Sequence, residues 1–203
     1  MEIKQHWENI YTTKEAHEVS WTEEVPSVSL SFIHQANLAK NARIIDVGGG
    51  DSKLVDYLLA EGFQNISVLD ISEAAIERAK RRLGEKANQV NWIVSDVLSF
   101  QPANPYDLWH DRAAFHFQTE SDQINQYVDL VKSSVKGTLI VGTFSTDGPT
   151  KCSGLPIQQY TEAGMKEKFE SANFKNIECK LEDHITPMGG QQNFVFCSIA
   201  KSA

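Results

Sequence analysis

Short β-branched runs alternate with stretches of helical spacing through the middle of this chain, and that alternation constrains its fold more than any other feature. Arg43–Val47 is an apolar run that leads straight into the cluster Gly48-Gly49-Gly50-Asp51-Ser52. Leu54, Val55, Leu58 and Leu59 then recur at helical spacing, with Gly62 placed to stop the helix. Ile66–Leu69 reads as a second strand ending at Asp70, and Ser72 is placed to cap a helix whose apolar face is Ala75, Ile76, Ala79 and Leu83. Trp92–Val94 reads as a third strand ending near Asp96, Tyr106–His110 as a weaker fourth, and Thr138–Thr143 as a fifth. Thr119 with Asp122 predicts a capping box for a helix carrying Ile124, Tyr127, Val128, Val131 and Val135, and Gly137 predicts its end. Strands separated by helices imply βαβ units, hence a parallel sheet covered on both faces. Near the end, Ile177, Cys179 and Leu181 alternate with charged residues, a Pro187-Met188-Gly189-Gly190 turn follows, and Asn193–Ala200 reads as a strand. That is a hairpin, so at least one antiparallel strand closes the sheet.

A chain of 203 residues fits one medium domain with a core large enough to need no staples. It divides into a helical N-terminal cap (1–40), a core (41–145) and a loop-plus-hairpin region (146–203). The formal charge of −8 disfavours a nucleic-acid binder, whose footprint would be basic. Cys152, Cys179 and Cys197 are odd in number and widely spaced, which reads as neither a zinc site nor a disulfide framework. The opening segment lacks the apolar stretch of a secretory signal, and no run is long enough to span a membrane. The expectation is a cytoplasmic protein, monomer or homodimer, without a metal site.

Ligands of open α/β sheets sit beyond the carboxyl ends of the strands. A dinucleotide fingerprint, G-x-G-x-x-G, would need glycine where this chain has Lys53, and Asp51 would stand beside a phosphate. A cofactor that bears positive charge and no phosphate removes both objections. S-adenosylmethionine fits: Asp46 and the glycine loop would meet its amino-acid end, Asp70 its ribose hydroxyls, and Asp96 with the Val97 N–H its adenine. Each aspartate taken alone also reads as a plain helix cap. Three in succession beside a triple glycine read as a site.

On Asp46-Val-Gly-Gly-Gly50, Leu69-Asp70-Ile71-Ser72 and Ser95-Asp96-Val97, the chain resembles the class I S-adenosylmethionine-dependent methyltransferases. It is most similar to the small single-domain members that open with W-x-x-x-Y, here Trp7 to Tyr11, followed by Trp21. The resemblance implies a Rossmann-like, doubly wound, seven-stranded sheet with one antiparallel strand near the C-terminus. It further implies a cofactor held by Tyr11, Asp46, Gly48, Gly49, Gly50, Ser52, Asp70, Ile71, Asp96 and Val97, and S-adenosylhomocysteine as its product. Ser52 departs from the family's last loop glycine, a tolerable change at a helix start.

The acceptor side rests on Trp109-His110-Asp111-Arg112 and Phe115-His116-Phe117. His110, Asp111 or His116 could serve as a base, although methyl transfer mainly needs proximity and alignment. The plainer reading is an Asp111–Arg112 pair and a His116 packed between aromatics. Trp21, Arg112, His116 and Cys152 are the candidate substrate-facing residues, Cys152 lying in a long polar loop over 145–156. The basic run from Arg78 to Arg82 reads as the solvated end of a helix. The preferred function is methyl transfer to a small molecule. Its rivals are methylation of a protein lysine, a non-catalytic cofactor-binding protein, and a nicotinamide-dependent oxidoreductase.

Overall fold

The fold was obtained as a computed structural model and describes residues 3–172 and 174–201, so the outermost residues of the expected 1–203 domain lie outside it. Seven strands form one sheet in the order β3-β2-β1-β4-β5-β9-β8. They are β1 (Arg43–Val47), β2 (Asn65–Asp70), β3 (Val90–Val94), β4 (Tyr106–Arg112), β5 (Val135–Phe144), β8 (Phe174–Ile185) and β9 (Gln191–Lys201). β1 to β5 pair in parallel, and β9 runs antiparallel to both β5 and β8. The Rossmann-like sheet with one reversed strand is therefore present. A two-stranded hairpin, β6 (Lys151–Cys152) with β7 (Leu155–Pro156), occupies part of the expected long loop.

The helices are α1 (Ile3–Thr13), α2 (Ser27–Gln35), α3 (Leu54–Ala60), α4 (Glu73–Leu83), α5 (Ser121–Ser134) and α6 (Glu162–Glu170). Alternation along the strands sends side chains to opposite faces. Ile45, Val47, Trp109 and Val141 join Tyr127, Val131 and Phe169 on one face, whereas Ile44, Leu108 and Ile140 join Leu30, Val55 and Leu58 on the other. Ile44, Leu54 and Leu58 are fully buried, each contributing about 1.5–3 kcal/mol by leaving water. Because the sheet is wrapped on both faces, the strand ends are the place left for a ligand.

Several sequence expectations need correction. Cys179 and Cys197 form a disulfide, their Cα atoms 4.1 Å apart. Spacing could not show this; the β8–β9 register that sets them directly opposite each other does. Gly137 does not stop α5, because β5 starts at Val135 and Gly137 packs against the Asp107 backbone within the sheet. The α5 capping box uses Glu120 and Gln123 in place of Thr119 and Asp122. Ser72, by contrast, caps α4 as expected, its hydroxyl accepting the Ala75 N–H at 3.2 Å.

Candidate active site

β1 lies between β2 and β4, so the strand order reverses there and a crevice opens at the carboxyl ends of these strands. A cavity of about 420 Å³ occupies it. Asp46, Gly48, Gly49, Ser52, Asp70, Ile71, Asp96 and Val97 line it, as do Tyr11, Trp21, Arg112 and Cys152.

The glycine loop is shaped by carboxylates as much as by backbone needs. Gly48 has φ +67°, a conformation that side chains rarely adopt. A Cβ on Gly49 would strike the Asp46 carboxylate, and one on Gly50 would lie 2.5 Å from Asp70 Oδ2. Gly50 therefore supports Asp70 from behind. The Asp70 carboxylate accepts the Ser72 N–H at 2.8 Å, and burial, aided by Asp46 and Glu8, pushes its pKa up to about 7. Asp96 accepts the Leu98 N–H at 2.8 Å.

Asp46 and His110 are register partners on adjacent strands and point to the same face. His110 Nδ1 lies 2.7 Å from Asp46 Oδ1, and His110 Nε2 lies 2.8 Å from the Ser29 hydroxyl of α2. A carboxylate only accepts, so Nδ1–H donates to Asp46, while Nε2 shares a hydrogen bond with the Ser29 hydroxyl. Both ring nitrogens are thus engaged. Asp46 Oδ2, buried against the cavity, has no partner among the described residues.

The same alternation separates the other acid–base candidates. Asp111 points to the opposite face, where it accepts N–H bonds from Ala114 (2.8 Å) and Phe115 (3.1 Å) and the Tyr127 hydroxyl at 2.6 Å. Burial pushes it up to about 6 against those bonds. His116 is fully buried beside Phe117 and Phe144, and burial with the nearby Arg112 charge drives its pKa down to about 3. Neither Asp111 nor His116 lines the cavity, so the structure does not bring them to the site. Cys152 does line it, and burial pushes its thiol up to about 12.

An aromatic roof covers the cavity. Trp7 of α1 meets Trp21 at 5.6 Å and Phe117 at 5.2 Å, edge to face. Glu8 fixes that roof by accepting N–H bonds from Glu73 (2.7 Å) and Ala74 (3.1 Å) and the Ser72 hydroxyl at 3.1 Å. The basic run is not simply solvated. Arg78 and Arg82 turn onto the glycine loop, Arg82 pairing with Asp51 at 2.5 Å and donating to the Ser52 carbonyl at 2.8 Å. Glu8, Glu23 and Ser29 were missed in the sequence, because each acts on an element distant along the chain.

Residues 44–137 match the family model described as a methyltransferase domain. That matched span, a little under half of the chain, is similar to a methyltransferase domain. Over 119 residues the chain is 38% identical to malonyl-[acyl-carrier protein] O-methyltransferase 1 of Ilyobacter polytropus, covering 58% of the chain and 41% of that relative. It is 27% identical over 122 residues to EEF1A lysine methyltransferase 2 of Danio rerio, covering 55% of the chain and 52% of that relative. The chain thus spans about half, or less, of these relatives' own lengths. Magnesium protoporphyrin IX methyltransferase from Synechocystis PCC 6803, solved with SAM bound, superimposes with a TM-score of 0.72 at 14% identity, covering 100% of this chain and 98% of that one. Among the described residues no helix is long and apolar enough to cross a membrane.

Proposed function

We propose that this chain is an S-adenosylmethionine-dependent methyltransferase acting on a small-molecule acceptor. The observation that carries the reading is the convergence of Asp46, Asp70 and Asp96 on one cavity behind the glycine loop. Each aspartate has Oδ1 tied to a protein donor. The buried, unpartnered Oδ2 of Asp46 calls for a cationic donor, which the ammonium of the cofactor's amino-acid end supplies. Asp70 is suited to the ribose hydroxyls, and Asp96 with Val97 to the adenine edge. When bound, the cofactor supplies a methyl group made electrophilic by its sulfonium.

The chain's own residues then position, desolvate and orient. Ser29 and His110 hold the Asp46 carboxylate in place, while Trp7, Trp21 and Phe117 exclude water above it. Because both nitrogens of His110 are engaged, it acts here as a positioning residue. The cavity volume of about 420 Å³ lies in the lower part of the range for small-molecule sites. A side chain of a folded protein would have to lift the roof, which favours a small acceptor over a protein lysine. Similarity to a malonyl-[acyl-carrier protein] O-methyltransferase supports an acyl group as the part of the acceptor that enters the cavity.

Calorimetric titration with S-adenosylhomocysteine and with NAD tests the reading. Micromolar binding of the first and far weaker binding of the second is expected. Tighter binding of NAD would return the loop to a dinucleotide site.

A further inference from the structure

Arg112 ends β4 and lines the cavity, and its guanidinium is poorly matched by its surroundings. Five N–H donors need partners on an arginine, in a fixed fork. One nitrogen, Nη1, donates to the Trp21 carbonyl at 2.8 Å. Nη2 lies 3.1 Å from Glu23 Oε1, near enough for an ion pair. Yet neither Nε nor Nη2 has an aligned hydrogen-bond partner among the described residues, although both are buried. These two nitrogens form the side edge of the fork, the edge that takes a carboxylate through two parallel bonds. The Phe194 ring backs the guanidinium at 5.1 Å and holds its plane.

Glu23 already has a second partner. Its Oε1 lies 3.4 Å from His184 Nδ1, and His184 is fixed by donating Nε2–H to the Ser20 carbonyl at 2.6 Å. Glu23 is itself a cavity residue. It is therefore a carboxylate of the covering segment resting against an arginine fork that it does not fill.

We infer that Arg112 is an anchoring site for a carboxylate on the acceptor molecule, and that Glu23 stands against it as a placeholder until the acceptor arrives. The acceptor's carboxylate takes the Nε–Nη2 edge, and Glu23 moves off the fork. Trp21 and Phe117, which line the same cavity, suit an apolar body behind that anion. The inference rests on the methyltransferase reading and adds the charge class of its acceptor.

The test is calorimetry on the whole chain saturated with S-adenosylhomocysteine, using octanoate, octyl phosphate, octylamine and octanol as chain-matched probes. Octanoate is expected to bind about tenfold or more tighter than octylamine and octanol, as a charge-assisted, two-bond contact requires. Arg112→Lys should lose most of that preference, since an ammonium is a point charge without a fork. Glu23→Gln should tighten octanoate severalfold, because it removes the competing charge while leaving Arg112 in place. A purely structural Arg112–Glu23 tie predicts the opposite: no carboxylate preference in the wild type, and no gain in Glu23→Gln. Either result overturns the inference, and tighter binding of octyl phosphate than octanoate overturns the carboxylate assignment. Failure of the wild type to bind S-adenosylhomocysteine at all would instead sink the cofactor reading beneath it.

Discussion

Glu8 caps a helix that begins 65 residues later in the chain: its Oε1 accepts the Glu73 N–H at 2.7 Å. The first N–H groups of a helix have no partner within it, and a carboxylate there also meets the positive end of the helix dipole. One side chain of α1 thereby stabilises α4 and fixes the roof over the cavity. Glu8→Ala should cost about 1 kcal/mol of stability, the usual worth of a cap. It should also weaken S-adenosylhomocysteine severalfold. Thermal unfolding and calorimetry, run side by side, check both effects.

Asp70 gives a pH prediction whose sign is fixed by its shift. Its pKa is held near 7 in the folded chain and is near 3.9 when unfolded. Between those values the native state keeps a proton that the unfolded state has lost. Stability of the ligand-free protein should therefore fall as pH rises from about 4 to about 7, then level off. Asp70→Asn should flatten that slope. Hydroxyl donors from the ribose favour the ionised form, so cofactor binding should release a proton near pH 6, measurable by calorimetry in two buffers of different ionisation enthalpy.

Asp70→Ala should weaken the cofactor by at least about tenfold, given two charge-assisted hydrogen bonds worth about 1.5–3 kcal/mol each. Dissociation constants for wild type and variant decide it. An unchanged value would reduce Asp70 to a turn-forming residue at the end of β2.

The Ser29–His110–Asp46 chain predicts that His110→Ala will lower stability and cofactor affinity together. It leaves both oxygens of a buried carboxylate without protein donors, a change that costs about 3–5 kcal/mol when a buried charge loses its partner. A base would behave differently, slowing single-turnover methyl transfer about 10²–10⁴-fold with affinity intact. Single-turnover rates across pH 6–9, measured with affinity, separate the two roles.

Reducing the Cys179–Cys197 disulfide should lower stability by about 3 kcal/mol, from the loop of 18 residues it closes. Melting temperatures with and without a reductant, and for Cys179→Ala, check this. The chain-entropy account predicts equal losses in the two cases.

The cofactor end was legible because its signals are local. Asp46, Asp70 and Asp96 each follow a β-branched run, and the glycines stand where the first strand must turn. The acceptor end was legible only as a neighbourhood. His110, Asp111 and Arg112 are consecutive, so the pleat sends Asp111 to the far face, where Tyr127 and two backbone N–H groups hold it. Which face belongs to the cavity depends on the β1–β4 register, a long-range fact. Glu8, Glu23 and Ser29 were hidden for the same reason, as were the disulfide, set by hairpin register, and the turn of Arg82 onto the glycine loop. Helix α6 went unread because its apolar positions, Met165 and Phe169, are too few to make a period.

The aromatic roof has a kinetic consequence. Trp7 rides on α1, so moving α1 away from the cavity breaks the three hydrogen bonds of Glu8. Loosening Glu8 is therefore expected to quicken release of a ligand held beneath Trp7, trading grip for speed.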